Sequence, residues 1–567
     1  MREGDEGHSG DRSNEDDATD GGRAGGAGAT TRRTLLGALG AGLVGTAAAG
    51  VAGAEGSGYT KIDRLDVRSW DGTTIAASLY EPDAAGPHPA MLMTHGWGND
   101  RSSADGVARL FAEHGYVVLT YDSRGFGESG GEVGVDGPKE VMDVSALIDW
   151  LADWSSVRAD GDNPDVGMIG ISYAGGIQIN AAARDDRLDA IVPIIPWYDL
   201  VFSLAPNGVI KRNWDLLLYA SGIAGSRGLS SGDGQPSRED FENGVAPKEH
   251  ETILESTVTN DMPDSSKAWF EVRSPSQKID AIAASDTPTL TIEGWSDTLF
   301  VPNQGVSIFQ GLRERGAESK LILFDAGHTL KLLTDPASQK PQFEAAYRYG
   351  LQFAEAHVRG EGDDGLAPVT MHESQTGEWQ RAQQFPPRRA RERTLHLSAA
   401  ANRSDGQTPV VNSVAATSTS QLFPRDVDLA EGATAVNFDF PVAREVEVVG
   451  TPRLSAEITP LGRTTDLFAK LKHVDAAGDA TLIDNQAMPY EIEGTDRRRV
   501  AFDLVSLQRH LQSGETLRLT IASTDAGFFG ARQSAGALIH HSADAPATLT
   551  LPAVGPTGAF AANRPGL

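Results

Sequence analysis

Val166-Gly167-Met168-Ile169-Gly170-Ile171-Ser172-Tyr173-Ala174-Gly175-Gly176 is the stretch that decides the fold. Val166–Ile171 is a short apolar run of strand length, and small residues open a helix from Tyr173. A serine at such a strand-to-helix turn is forced into strained backbone angles, and its hydroxyl stands at the sheet's edge. Larger neighbours would collide in that turn, so Gly170, Ala174 and Gly175 have a steric reason to be small. Ala174 stands where the commonest pattern has glycine, and Gly175 partly offsets this. The competing reading is a turn that merely packs a helix onto a sheet.

Working outward, strands and helices alternate from about residue 61 to 360. Lys61–Val67 and Thr73–Leu79 read as a hairpin around Trp70-Asp71-Gly72. Ala90–Thr94, Tyr116–Tyr121, Ala190–Ile195, Thr289–Glu293 and Lys320–Phe324 read as buried strands. Helices are expected over Ala104–His114, Pro138–Trp154 and Pro341–Val358. In Pro138–Trp154 the residues Val141, Val144, Leu147, Ile148 and Leu151 share one face. This alternation predicts a mostly parallel sheet covered on both faces. An insert over Trp197–Pro275 breaks it, with a helix near Asn213–Ala220 and a Gly/Ser/Asp-rich stretch at Gly222–Arg238. That pattern suggests a lid; a plain surface insertion is the other reading. From about Pro368 to Pro552 the period changes to two. Leu454, Ala456 and Ile458 alternate, as do Leu517, Leu519 and Ile521, which predicts an all-β sandwich. Ala399–Gln421 reads as a low-complexity loop inside it.

A serine nucleophile needs an imidazole base, and the base needs a carboxylate. In a site of this kind they follow in the order Ser, Asp/Glu, His, each past a strand. Glu293-Gly294-Trp295-Ser296-Asp297 and Asp325-Ala326-Gly327-His328 satisfy that order. Ser172, Asp297 and His328 are the expected triad. Asp199 is the rival acid, and Asp325 reads as a loop carboxylate. His95 precedes the nucleophile and reads as structural. An oxyanion needs donors. The Tyr173 N–H is one candidate and the Trp97 backbone N–H, in Thr94-His95-Gly96-Trp97-Gly98, is the second. Trp97 also reads as a pocket wall, and its indole N–H as a further possible donor. Trp197, Trp295 and Phe300 are further candidate pocket walls. Asp122-Ser123-Arg124-Gly125-Phe126-Gly127-Glu128-Ser129-Gly130 reads as scaffold braced by Asp122 and Arg124.

These motifs together resemble the cocaine esterase/X-Pro dipeptidyl-peptidase superfamily, the CocE/NonD hydrolases. Gly170-x-Ser172-Tyr173-x-Gly175 is similar to its G-x-S-Y-x-G. Asp122-x-Arg124-Gly125-x-Gly127-x-Ser129, Arg273-Ser274-Pro275 and Gly294-Trp295-x-Asp297 resemble three more of its motifs. Gly450-x-Pro452-x-Leu454, Thr465–Leu471 with Val474-Asp475, and Leu517–Ser523 resemble its carboxyl-terminal domain. The resemblance implies an α/β-hydrolase core with a helical cap, then an all-β jelly-roll sandwich of galactose-binding-like type. It implies release of Xaa-Pro dipeptides from peptide N-termini, or hydrolysis of small esters or amides, through an acyl-enzyme. The implied triad is again Ser172, Asp297 and His328, with the Tyr173 N–H as oxyanion donor. The family often adds a tyrosine hydroxyl after the early strand, and this chain has none there. An acidic anchor for a substrate amine is available among Glu239, Asp240, Glu242, Glu249 and Glu251. No metal or organic cofactor is implied, and the partner is a small peptide or ester substrate. A non-catalytic extracellular binding protein is the reading from another class.

Length and charge set the frame. The chain has 567 residues, 78 acidic and 49 basic, and no cysteine. That excludes a disulfide framework, a thiolate nucleophile and Cys-ligated zinc. A net charge of −29 disfavours a nucleic-acid partner. Thr31-Arg32-Arg33-Thr34-Leu35-Leu36, a Gly/Ala-rich apolar run and Ala52-Gly53-Ala54 resemble a twin-arginine export signal with its cleavage site. A membrane-spanning helix is the other reading of that run; no later segment is apolar enough to span. The expected organisation is a leader over 1–54, a catalytic domain over 55–365 with its cap at 197–275, and a β-sandwich over 366–567. Removal of the leader would leave an exported protein without stable membrane insertion. Residues 1–54 hold 8 acids and 5 bases, so the charge from residue 55 onward is −26. With only 11 lysines against 38 arginines, this acidity suggests a protein of high salt, where screening relieves self-repulsion; together with the resemblance to a twin-arginine signal it implies a halophilic archaeon as the source. An unfolding curve against KCl checks this: stability should rise toward molar salt, and full stability in dilute buffer would contradict it.

Overall fold

The structure is a computed structural model that describes residues 58–226, 247–329, 335–400, 406–411, 435–528 and 536–561. The expected leader at 1–54 and Glu239, Asp240 and Glu242 lie outside the described residues.

The amino-terminal half is one ten-stranded sheet. Its strands are β1 (Tyr59–Arg68), β2 (Thr74–Pro82), β3 (Ala90–Met93), β4 (Val117–Tyr121), β5 (Val166–Ile171), β6 (Leu188–Ile194), β7 (Thr289–Gly294), β8 (Ser319–Phe324), β9 (Val369–His372) and β10 (Trp379–Ala382). Their spatial order is β1-β2-β4-β3-β5-β6-β7-β8-β9-β10. From β4 to β9 every pairing is parallel, whereas β1, β2 and β10 pair antiparallel at the edges. The helices are α1 (Asp105–Glu113), α2 (Pro138–Ala152), α3 (Tyr173–Ala182), α4 (Leu200–Leu204), α5 (Arg212–Gly225), α6 (Pro247–Thr259), α7 (Asp264–Glu271), α8 (Ile279–Ala284), α9 (Asn303–Glu314) and α10 (Pro336–His357).

β5 shows why this half is layered. All six of its residues are buried. Ile169 and Ile171 pack in a cluster with Phe111 of α1 and Phe343 and Phe353 of α10. Val166 and Met168 pack on the opposite side with Val144 and Leu147 of α2 and Ile177 of α3. Successive side chains of a strand point to opposite faces, so both faces must be covered. The apolar stripe expected on α2 is the stripe that is buried there.

Among its described residues the insert after β6 is helical, formed by α4 to α7; residues 227–246, which include most of the expected Gly/Ser/Asp-rich stretch, lie outside them. These helices build a separate apolar cluster in which Leu200, Leu204, Met262 and Phe270 meet Tyr173, Trp197 and Phe300.

The carboxyl-terminal half is a sandwich of an eight-stranded and a five-stranded antiparallel sheet. Leu454, Ala456, Ile458, Leu517, Leu519 and Ile521 all point into its shared core, as their alternation predicts. Two details differ from expectation. β9 and β10 hydrogen-bond to the first sheet, so that sheet runs past the boundary expected at 365/366. Val369 and Met371 face a core shared with Leu321 and Leu323 of β8, and alternation alone does not say which sheet a strand joins. Within the stretch read as a loop at Ala399–Gln421, Gln407–Val411 is a strand paired with Gly536–His540. Residues 401–405 and 412–421 of that stretch lie outside the described residues. Among the described residues no helix is long and apolar enough to cross a membrane.

Candidate active site

Ser172 follows β5 and caps α3 with φ 60° and ψ −114°. A non-glycine residue in that region costs about 1–3 kcal/mol and is held there by its surroundings. The Ser172 N–H donates to Ile194 O at 2.9 Å, and Ser172 O accepts from Gly175 N and Gly176 N. A Cβ on Gly170 would lie 2.4 Å from the Ala174 methyl, so the turn admits Ala174 only because residue 170 is glycine. A Cβ on Gly176 would lie 2.3 Å from the Trp197 ring.

The expected acid and base stand at the ends of the next strands and reach this serine. His328 Nε2 is 2.8 Å from Ser172 Oγ, and His328 Nδ1 is 2.6 Å from Asp297 Oδ2. Asp297 Oδ2 also accepts the His328 N–H at 2.8 Å, while Oδ1 accepts from Leu299 N and Phe300 N at 2.9 and 2.7 Å. Four N–H groups thus converge on one carboxylate and fix its orientation. The two loops can come this close because of glycine. A Cβ on Gly327, at φ +142°, would lie 2.6 Å from Asp297 Cβ. All three side chains are buried. Edge-on contacts from Phe300 and Trp214 flank the imidazole. Trp214 also donates its indole N–H to Thr298 Oγ1, which donates to His328 O.

The other candidates sort cleanly. Asp199 caps α4 by accepting from Phe202 N at 2.9 Å, so the rival acid is a helix cap. His95 is structural: its Nδ1 lies 2.9 Å from Gly96 O while its Nε2 accepts from Ser123 N. Arg124 binds Asp143 and Asp71, and Asp122 binds Arg101, so that motif braces loops. Trp197 and Phe300 line the pocket beside Ser172. Trp295 does not. Its indole N–H donates to His372 O and its ring packs near Phe385 behind the loop, because it points away from the neighbouring Asp297.

Tyr173 opens α3, directly after Ser172, so its N–H has no preceding helical carbonyl to bond. Its hydroxyl is occupied, donating to Glu140 at 2.6 Å and accepting from Asp136 N. Burial pushes both Asp136 and Glu140 upward. Trp97 lines the pocket, and its indole N–H donates to Leu218 O at 2.7 Å. The indole is therefore committed to the cap, which leaves the Trp97 backbone N–H as the second donor candidate.

The pocket over Ser172 is a cavity of about 100 Å³. Its walls are mostly apolar, but two carboxylates line it, Asp215 of α5 and Glu249 of α6. Among the described residues neither Glu249 oxygen has a hydrogen-bond partner, and burial raises its carboxyl well above the ordinary range. Burial also raises Asp215 to about 8, opposed by the charge of Lys211. Lys211 is lowered to about 7 by burial, and its Nζ donates to Leu299 O. Of the two amine-anchor candidates among the described residues, Glu249 lines the pocket, whereas Glu251 is exposed and pairs with Lys248. Sequence reasoning did not single out Asp215 or Lys211, which carry no motif. Among the described residues one cluster, Glu318, His357 and Asp364, has the geometry to hold a metal, but Lys320 Nζ already binds Asp364.

A serine on a strained turn, with an imidazole at hydrogen-bond distance, can attack an acyl carbon once the imidazole takes its proton. Fold and pair together define a serine hydrolase of the α/β-hydrolase class. The comparisons narrow this. Residues 71–330 match the X-Pro dipeptidyl-peptidase (S15) family, and residues 362–550 match the X-Pro dipeptidyl-peptidase C-terminal non-catalytic domain. The chain belongs to this S15, CocE/NonD family of hydrolases. It is 24% identical over 561 residues to a cocaine esterase of Rhodococcus sp. (strain MB1 Bresler), covering 85% of this chain and 94% of that protein. An aminopeptidase from the marine sediment archaeon Thaumarchaeota archaeon superposes with a TM-score of 0.66 at 12% identity, covering 89% of this chain and 98% of that one. An alpha-amino acid ester hydrolase superposes with a TM-score of 0.66 at 16% identity, covering 88% and 98%.

The buried Asp215 gives a stability test. Its carboxyl titrates at about 8 in the fold and near 3.9 in an unfolded chain. Between those values the folded protein holds the extra proton, so stability falls as pH rises from about 4 to about 8. Asp215→Asn removes that loss. Thermal melts of variant and wild type should therefore shift in the variant's favour by several degrees between about pH 5 and about pH 8. A difference independent of pH would contradict the assignment.

Proposed function

We propose that Ser172, His328 and Asp297 act as a catalytic triad, with the Tyr173 and Trp97 backbone N–H groups as oxyanion donors. The observation that carries this reading is the continuous chain from Ser172 Oγ through His328 to Asp297, with links of 2.8 and 2.6 Å. Ser172 Oγ attacks the carbonyl carbon as His328 Nε2 takes its proton. The oxyanion develops against the two N–H groups, where one lost donor typically costs about 2.7–4 kcal/mol. His328 then gives the proton to the leaving amine or alkoxide, and the acyl-enzyme forms. Water repeats the sequence and releases the acid. Asp297 holds the imidazole tautomer and stabilises its charged form.

We further propose an X-Pro dipeptidyl-peptidase-like substrate. The apolar cavity beside Ser172 suits a proline ring. The Glu249 carboxyl, without a hydrogen-bond partner among the described residues, suits the ammonium group of a peptide N-terminus. A carboxylesterase or amidase acting on small substrates is the second reading. It is favoured by the early loop, where Trp97 stands and no tyrosine hydroxyl is offered.

Gly-Pro-p-nitroanilide and p-nitrophenyl acetate, assayed side by side, separate the two. The peptidase reading expects release from both. It also expects Glu249→Gln to raise KM for the anilide by roughly tenfold or more while leaving the acetate unchanged, since charge-assisted hydrogen bonds are worth about 1.5–3 kcal/mol. Brisk acetate cleavage with no anilide release would leave the esterase reading.

A further inference from the structure

The sandwich reaches into the loop that carries the catalytic acid. Gln486 is buried at the interface, and its side-chain N–H₂ donates to Asp297 O at 2.7 Å and to Trp295 O at 3.1 Å. Both carbonyls belong to residues that are almost fully buried. Without Gln486 they would be left without these donors, and a buried carbonyl that loses its donor is costly.

The delivery of Gln486 is itself constrained. It follows a 3-10 turn over Ile483–Asn485 whose last two residues, Asp484 and Asn485, lie at φ 52° and φ 57°. Two successive non-glycine residues in the left-handed region are unusual, although Asp and Asn tolerate it best. The turn closes with Gln486 N donating to Ile483 O at 3.1 Å. Ile483 is anchored in the sandwich core. The amide is therefore held by the second domain and presented to the first.

The carboxylate of Asp297 is fixed by N–H groups of its own loop and of the His328 loop. Those bonds set the carboxylate relative to its neighbours. They do not tie the loop from Trp295 to Asp297 to anything behind it. The Trp295 indole ties its start to His372 O, and Gln486 ties its backbone to the sandwich by bonding two carbonyls on either side of Ser296.

We propose that Gln486 is a positioning residue of the hydrolase. Through it the sandwich, which its family describes as non-catalytic, holds the acid loop in register with His328. This rests on Asp297 being the triad acid. Removing the amide lets the loop shift, and the Asp297–His328 bond then loses alignment in the transition state, where the imidazole becomes charged. Substrate binding in the cap pocket is untouched, so the loss falls on kcat and not on KM.

The test compares four variants of the full chain by steady-state hydrolysis of p-nitrophenyl acetate. Gln486→Met keeps the side-chain length and removes the donor. It should lower kcat by about tenfold or more at unchanged KM, because a small misplacement in a catalytic array is expensive. Gln375→Ala breaks another bond pair between the halves, the one with His510 backbone, and should leave kcat unchanged. Gln486→Glu can donate only when protonated. Its kcat relative to wild type should rise as pH falls from about 8 to about 6, a signature that simple loosening of the interface does not give. Gln486→Met at wild-type kcat, an equal loss in Gln375→Ala, or a flat pH ratio for Gln486→Glu would overturn the proposal. Asp297→Asn at wild-type activity would instead overturn the triad on which it rests.

Discussion

The site depends on one constraint, the backbone of Ser172 held at φ 60° and ψ −114°. No regular element supplies that conformation. It is imposed by a buried strand on one side, a helix on the other and two close approaches that only glycine allows. Gly170 admits the Ala174 methyl, and Gly176 admits the Trp197 ring. In that conformation Oγ stands 2.8 Å from His328 Nε2. Everything else about the site follows from what can be brought to that point.

Three regions bring it. The parallel sheet sets β7 and β8 side by side, so the loops after them meet where Gly327 lets Asp297 approach. The cap closes the top, with Trp214 against His328 and Leu218 fixing the Trp97 indole. The sandwich closes the back through Gln486. A further carboxyl, Glu293, is buried near the site. Glu293 accepts from Gly294 N beneath the acid loop, and burial followed by the charge of Asp297 raises it well above the ordinary range.

Much of this was legible because it is local or ordered along the chain. The turn at Ser172 is written in consecutive residues. The acid and base follow the last two strands of the α/β alternation in a fixed order. Contacts that cross the chain left no such mark. Trp295 sits two residues before Asp297, and proximity in sequence suggested a pocket wall, yet it faces Phe385. Asp215 sits on the cap helix α5 and Lys211 just before it, and the helix pattern says only that one face is apolar. β9 alternates like a sandwich strand and differs only in its partner, β8. Gln486 belongs to no motif, and its role exists only once the sandwich is docked.

The central claim is that Ser172 is the nucleophile activated through His328 and Asp297. A fluorophosphonate probe reacts with such a serine and not with an unactivated one. The account predicts that wild type takes up the label on Ser172 and that Ser172→Ala takes up none. Labelling of Asp297→Asn should be slower by a factor on the order of 10⁴. Equal labelling of wild type and Ser172→Ala would contradict it.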